Sequence, residues 1–287
     1  MANCILAFPN IADATKATLS GGSWVATLPL SNLQDEVLGT VARSTNTALV
    51  NTQFDVTYDK SRLVSVFGLI GHNMTADALY RLRGAEDAGF TSVLVDTGWT
   101  EVWPAVYTTA TLDWEDPAFW SGKPAPDQLA AFNPALIKSL SQKIACQYWR
   151  LEINDTANAA GYVQAGKLFM AAQWRPTTNM SYGATLGVVD RSSVEETIGG
   201  TSYADKRSVK RTARITLGFM SQAEAMGRAF DIKRLAGNTG EVLFIWDDAD
   251  TLNLQRTSFL GRLTDTNPVT IPFYNTWETT FEIEERV

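Results

Sequence analysis

The sequence has very little of the residue types that most enzymes use for catalysis and metal binding. It contains one histidine, His72, and two cysteines, Cys4 and Cys146, in 287 residues. A Ser-His-Asp or Cys-His catalytic arrangement would have to use that single histidine, and a zinc site needs several histidine or cysteine ligands close together. We therefore expect neither kind of site, and we predict that His72 is a turn residue whose ring bonds to the backbone.

The two cysteines are also too few for a disulfide framework. Both lie in segments that we predict to be strands, where buried free thiols are common. A disulfide between Cys4 and Cys146 is the alternative, although two cysteines do not make a disulfide-rich scaffold. The sequence alone leaves the state of these two thiols open.

Long apolar runs and a basic charge balance are lacking as well. No apolar run approaches the roughly 18 residues of a membrane span, and the N-terminus lacks the basic stretch of a secretion signal. The net charge of −7 disfavours general binding to phosphate backbones. With 45% hydrophobic and 19% charged residues, the chain can fill a packed core, and its length fits two domains.

The remaining patterns for chemistry are weak. Phosphate-binding glycine loops are absent. The acidic loop at 247–253 lacks the glycine and the glutamate of a calcium loop, so we expect a solvated turn. The carboxylates at 113–116 are the least implausible pair for glycoside hydrolysis, but any acidic sequence offers such pairs. We predict that the protein is not an enzyme and that it holds no cofactor and no metal.

Most segments of the first half alternate at period two, which is typical of strands. The run at 63–70 is apolar on both faces and predicts a central strand covered on both sides. Further strands are predicted at 78–83, 147–153 and 162–172. The fold class predicted for the whole chain is mostly β, and residues 1–175 suit a β-sandwich of the jelly-roll type.

A stretch at about 99–141 interrupts this pattern and is predicted to be a loop insertion. It is rich in proline and holds four tryptophans, Trp99, Trp103, Trp114 and Trp120. Loops of this length without their own structure are often functional. Tryptophans anchor protein interfaces and also stack on sugars. The cluster is therefore a loop core, a protein interface or a glycan contact, and the sequence does not decide between the three.

Residues 176–287 are predicted to form a second, β-rich domain with one helix. Its strands are expected at 207–219, 241–246, 256–263 and 277–284. Ser221 and Glu224 have the spacing of a capping box, and Gly237 supplies a stop. These signals predict a helix at about 221–236.

Basic residues gather at the start of the long strand of the second domain. In a continuous strand, Lys206, Lys210 and Arg214 would share one face. One interpretation is an exposed strand face that resists edge pairing. The other is a contact with an acidic neighbouring subunit, which copies of this acidic chain could supply.

Several short motifs, taken in their order along the chain, resemble a known family. They include Leu30-Ser31-Asn32-Leu33, Phe54-Asp55-Val56, Leu69-Ile70-Gly71-His72-Asn73, Tyr80-Arg81-Leu82-Arg83, Tyr148-Trp149-Arg150-Leu151-Glu152-Ile153-Asn154 and Thr280-Phe281-Glu282-Ile283-Glu284-Glu285. This series resembles the galactose-binding-like (discoidin-type) jelly roll of tail proteins from siphophages and prophages. The resemblance covers nearly the whole chain, and the insertion matches it least.

The resemblance implies a structural component of a bacteriophage tail tip or baseplate. Such a subunit would be assembled in the host cytoplasm, with other tail proteins as partners and with copies in a six-fold or three-fold ring around the tail axis. It brings no catalytic residues, and a shared fold does not fix function. The alternative function is carbohydrate binding at the host surface.

Overall fold

Antiparallel strands make up most of the computed structural model, which describes residues 2–108, 110, 112–116, 118–123 and 133–287. The first half contains β1 Ile5–Ala7, β2 Ala17–Ser20, a 3-10 turn Leu30–Gln34, β3 Ala42–Arg43, α1 Leu49–Thr52, β4 Phe54–Ile70, β5 Leu79–Ala85, β6 Val93–Asp96, β7 Thr100–Glu101, β8 Ala135–Asn154, β9 Gln164–Ala165, β10 Lys167–Ala171 and β11 Gln173–Trp174. The second half contains β12 Thr185–Val189, β13 Ser193–Glu196, β14 Ser202–Asp205, β15 Lys210–Met220, β16 Glu241–Ile245, β17 Phe259–Asp265, β18 Thr270–Phe273 and β19 Thr276–Glu285. The predicted mostly β class is confirmed.

Helical structure concentrates in one element, as predicted. The helix α2 runs through Gln222–Glu224, a π-helical segment Ala225–Phe230 and Asp231–Ala236, and a short turn α3 spans Leu254–Thr257. The Ser221 side chain accepts from the Glu224 N–H at 3.2 Å, so half of the capping box is present. Among the described residues, no helix is long and apolar enough to cross a membrane.

The first sheet is built on two long neighbouring strands, β4 and β8. Its order is β10-β4-β8-β5-β6, with β2 beside β4 and β7 beside β5. Residues Val64–Ile70 of β4 are all buried, and this segment pairs with β10 on one side and β8 on the other. The predicted central strand is therefore confirmed, apart from Leu63, which is exposed.

The predicted insertion at 99–141 is too long at its C-terminal end. Strand β8 begins at Ala135 and continues to Asn154, so its first part lies inside the predicted loop. The strand pattern is hidden there because residues 141–143 are exposed and because the register against β4 shifts between Val64 and Val66.

The second sheet includes strands from both ends of the chain. Its order is β11-β1-β16-β17-β19-β15-β12, with β18 beside β19. The N-terminal strand β1 lies between β11 and β16, with Leu6 opposite Trp174 and Phe244. The first strand of the chain thus completes the sheet of the second half, across the predicted division at residue 175.

Three apolar cores lie on the faces of these two sheets. One covers a face of the first sheet around Trp149 and Phe67. The second joins the two sheets, with Val66 and Phe169 on one side and Leu243 on the other. The third lies between the second sheet and α2. Alternation along the strands produces this layering, since successive side chains point to opposite faces.

Candidate assembly surface

A two-stranded ribbon extends beyond the second sheet and is the least covered part of the described chain. Strands β12 and β15 pair up to Val189 opposite Lys210, and β13 and β14 continue the ribbon from Ser193 opposite Asp205. We call residues Ser193–Asp205 the arm. Every residue from Ser193 to Val209 is exposed, including the apolar side chains of Val194, Ile198 and Tyr203.

The tip of the arm is an ordered turn. The Thr197 N–H donates to the Thr201 carbonyl at 2.9 Å, and the Gly200 N–H donates to the Thr197 carbonyl at 2.8 Å. Gly200 has φ +79, a left-handed conformation that glycine adopts without a steric cost. The turn therefore fixes the register of the arm and presents Ile198, which is fully exposed, at its end.

The base of the arm is held by side chains where the strand ladder is interrupted. The Ser192 hydroxyl accepts from the Arg207 N–H at 2.8 Å, and the Ser192 N–H donates to the Asp190 carboxylate at 2.8 Å. Hydrogen bonding of the Asp190 carboxylate to the Ser192 side chain and to the Ser192 N–H holds the pKa of Asp190 below its usual range. The ribbon is thus continuous in hydrogen bonding from the sheet to the tip.

Neither face of the arm is covered. Val194 lies opposite Ala204 and Glu195 lies opposite Tyr203, so the two large side chains Val194 and Tyr203 project from opposite faces. An isolated two-stranded hairpin is marginally stable in water. A ribbon with apolar groups on both faces is therefore typical of a segment that packs against another protein surface.

An apolar groove of about 460 Å³ lies beside the base of the arm. We call it the root groove, and it is lined by Asn133, Leu186, Gly187, Val188, Val209, Arg211, Arg256 and Glu285. Leu186 lies opposite Ala213, which belongs to the core between the second sheet and α2. The groove is therefore the continuation of a core face, which no other described residue covers at the edge strand β12.

The floor of the root groove is a rigid charged pair. The Arg211 guanidinium donates to the Glu285 carboxylate at 2.9 Å through Nε and to the Ser258 carbonyl at 3.1 Å. Asn133 donates to the same carboxylate at 3.3 Å. Arg256 is exposed at the rim, with its guanidinium 5.7 Å from the centre of the Tyr107 ring.

The three basic residues predicted to share one strand face do not all lie in the same strand. Lys206 lies outside β15, which begins at Lys210, because residues 206–209 form the irregular base of the arm. Lys210 pairs with Glu284 at 3.4 Å, and Arg214 pairs with Glu282 at 3.3 Å. Strand β15 has neighbours on both sides, so its basic residues do not protect an edge, and the acidic partners of Lys210 and Arg214 are in their own sheet.

The four tryptophans of the insertion do not form one surface in the described contacts. Trp103 is 2% exposed, donates from Nε1 to the Met74 carbonyl at 3.1 Å and packs edge-on against His72. It is a core residue, and the prediction of an interface or glycan contact is wrong at this position because its indole is enclosed. Trp114 and Trp120 are 76% and 89% exposed, and Trp99 is 43% exposed.

The single histidine and the two cysteines are buried and structural. His72 accepts the Met74 N–H on Nδ1 at 3.3 Å, which confirms the predicted turn role, and burial lowers its pKa to about 3. Both cysteines are free and buried, and burial raises the pKa of Cys4 to about 12 and that of Cys146 to about 11. Among the described residues, no cluster of histidine, cysteine and carboxylate side chains has the arrangement of a metal site.

The sequence interpretation missed the arm, because residues 190–209 read as polar and turn-rich. One signal was present. Thr197-Ile198-Gly199-Gly200-Thr201 is a glycine-containing turn between residues with high β-propensity, which favours a hairpin. The sequence does not signal a strand whose two faces are both exposed. Alternation of polar and apolar residues arises only where one face of the strand is covered.

No family model and no curated protein matches the chain. Among solved structures, it is similar to a family 32 carbohydrate-binding module from Clostridium perfringens in complex with galactose, at 12% identity over 58% of this chain and 99% of that chain, with a TM-score of 0.37. A second module of this family, produced by the same organism, gives 12% identity, coverages of 58% and 99%, and a TM-score of 0.35. A chitosan-binding module from Paenibacillus sp. IK-5 gives 18% identity, coverages of 57% and 100%, and a TM-score of 0.34.

The family 32 modules are discoidin-like jelly rolls, the type of fold that the sequence resemblance implies. Similarity at this level carries neither a ligand nor a binding site to this chain. The three structures are not phage tail proteins, so the virion part of the resemblance stays a prediction.

Proposed function

We propose that the protein is a structural subunit that assembles with other protein subunits through its arm. The observation that carries this proposal is the uncovered ribbon from Ser193 to Val209, in which every residue is exposed. The exposure of large apolar side chains on both faces of such a ribbon supports a protein interaction site. No catalytic step is assigned to the chain.

The finer part of the proposal is the place of assembly. The order of motifs along the chain resembles siphophage and prophage tail proteins, and we propose a tail tip or baseplate as the location. The partners are then other tail proteins and further copies of this chain. The acidic net charge of −7 is in keeping with protein partners, because it disfavours nucleic acid.

The experiment is a mass measurement by light scattering on the purified full chain, alone and mixed with other tail proteins. The test variant is V194S/I198S/Y203S, which makes the arm polar and leaves its backbone unchanged. The wild type should exceed the monomer mass of 31.5 kDa in at least one of the two conditions, and the variant should remain a monomer in both.

The matched control is Val50→Ser, which removes an exposed apolar side chain from α1, far along the chain from the arm. This control should assemble like the wild type. A wild-type chain that stays monomeric in both conditions would contradict the proposal, and so would a triple variant that assembles as well as the control.

A second candidate function is carbohydrate binding. It is favoured by the exposure of Trp114 and Trp120, whose indole rings are free to stack on sugar faces. We would titrate the chain with galactose and with chitosan oligosaccharides by calorimetry and compare the variant W114A/W120A with Phe219→Ala, which removes another exposed aromatic ring. Saturable heat that is lost only in W114A/W120A would support this candidate, and no heat in the wild type would remove it for these sugars.

A further inference from the structure

We propose, on the basis of the assembly function above, that the tip of one arm docks in the root groove of a second copy of this chain, and that the two copies exchange their arms reciprocally. The occupant is thus a second copy, and the contact joins two surfaces that the structure describes separately. Apolar fit, charge and reach each support this assignment.

The tip and the groove match in polarity. Ile198 is fully exposed at the end of the arm, where nothing in its own chain covers it within the described residues. The walls of the root groove are Leu186, Val188 and Val209, all exposed. A groove of about 460 Å³ accommodates a branched aliphatic side chain and its turn, and burial on both sides removes apolar surface from water.

The charges of the two surfaces are opposite. Towards its tip the arm carries two carboxylates, Glu195 and Glu196, and no basic residue stands between 193 and 205. The third carboxylate, Asp205, lies at the base and pairs with Arg207 at 3.3 Å. Arg256 lines the groove and Lys206 lies in the base of the arm. Both are exposed, and neither forms an ion pair with a described residue. An arm with an acidic tip and a basic base is complementary to an antiparallel copy of itself.

The reach of the arm excludes its own groove. From Val189 to Ile198 the ribbon extends about 30 Å, at roughly 3.3 Å per residue. Its ladder covers Ser193–Glu196 and Ser202–Asp205, and at the base the Ser192 hydroxyl bonds to the Arg207 N–H in its place. A ribbon of this kind does not fold back on its own base. Two arms lying antiparallel place each tip at the base of the other, and a two-fold contact closes on itself.

The test is a disulfide cross-link between two variants that each gain one cysteine, I198C and V188C. The two variants are mixed and oxidised. The native thiols of Cys4 and Cys146 are buried and should not react. A product of twice the chain mass should form in the mixture and in neither variant alone. The control mixture of I198C with V50C should give no product.

A charge reversal gives a second, independent measurement. E195R/E196R should weaken self-association about ten-fold, because it places like charges at Lys206 and Arg256. K206E/R256E should weaken it similarly, and the mixture of the two variants should restore it. The matched control is Arg228→Glu, on the outer side of α2.

The outcomes separate this inference from the assembly function. Arm-dependent self-association without the cross-link, and without rescue in the mixed charge variants, would overturn arm exchange while leaving the assembly function standing. Assembly only with other proteins would do the same. A double variant I198C/V188C that gives a ladder of products rather than closed dimers would overturn reciprocity. Failure of the assembly function would instead appear as a monomer under all conditions.

Discussion

Two antiparallel strand pairs in this molecule have similar backbone pairing and opposite environments. In the pair of β4 and β8, Val56 lies opposite Trp149, and both are fully enclosed. In the pair of β13 and β14, Glu195 lies opposite Tyr203, and both are exposed. Since ladder hydrogen bonds largely replace hydrogen bonds to water, the difference in stability comes from burial.

The comparison separates a body that has its own apolar cores from an arm that, in our proposal, packs against a partner. The body contains three apolar cores and the buried titratable groups, whereas every titratable side chain of the arm is exposed. Substitutions in the cores, and changes in pH, should therefore alter the stability of the body without altering association through the arm. Substitutions in the arm should alter association without altering the stability of the body.

The largest effect is expected from Trp149→Ala. Trp149 is fully buried in the core of the first sheet, and removing a large aromatic side chain from a core costs about 3–5 kcal/mol. Urea unfolding of the variant should show this loss. A loss below about 1 kcal/mol would mean that the first core does not dominate the stability of the body.

His72 should make the body sensitive to acid. Its pKa is lowered by burial from 6.5 to about 3, so in this range the unfolded chain binds a proton that the folded chain does not. Stability is therefore present above pH 6.5 and is lost as the pH falls towards 3, by up to about 1.4 kcal/mol per pH unit. The reference is His72→Asn, whose amide oxygen can accept the Met74 N–H without titrating. Equal acid dependence of the two unfolding free energies would contradict this role.

Lys233 should make the stability of the body depend on pH in the alkaline range. Its ammonium donates to the Asn267 and Thr280 carbonyls at 2.6 and 2.8 Å, and burial lowers its pKa to about 8 from 10.5. Between pH 8 and 10.5 this lysine is therefore protonated in the unfolded chain and largely neutral in the folded chain. The unfolding free energy of the wild type should therefore rise relative to Lys233→Met between pH 8 and 10.5, by about 2–3 kcal/mol in total. A pH-independent difference would show that this lysine is not desolvated.

The smallest effect on stability is expected in the arm. Val194→Ala should change the unfolding free energy by no more than about 0.5 kcal/mol, because the side chain touches little of the body. Hydrogen exchange should show rapid exchange of the arm amides in the monomer and protection on assembly. Strong protection of the arm amides in a monomer would contradict the expected difference between the two strand pairs.

The sequence patterns predicted the covered strands better than the uncovered ones. The final strand, with Phe281 and Ile283 on one face, and the apolar segment of β4 were predicted because a core imposes period two or a continuous apolar run. The arm was not, because an exposed strand is under no such constraint. The start of β8 is buried, but its pattern is broken by the exposed residues 141–143 and by the register shift against β4. The strand predicted to start at 256 is helical at its beginning, since α3 spans Leu254–Thr257.

The candidate site was predicted only in part. The basic cluster was noticed, but its partners Glu282 and Glu284 are brought to it by the pairing of β15 with β19, which the sequence does not reveal. The capping box is also used differently from the prediction. Glu224 accepts from the Trp174 indole at 3.1 Å and from the Thr177 N–H at 2.9 Å, so its carboxylate holds the segment after β11 instead of closing the cap.

The position of β1 has a consequence for the order of folding during synthesis. Ile5–Ala7 is synthesised more than two hundred residues before one of its partner strands, β16. Pairings between such distant segments form slowly, and until then the N-terminal strand lacks this neighbour. A fragment limited to 176–287 would lack the same strand and would expose the edge of β16 to pairing with other chains.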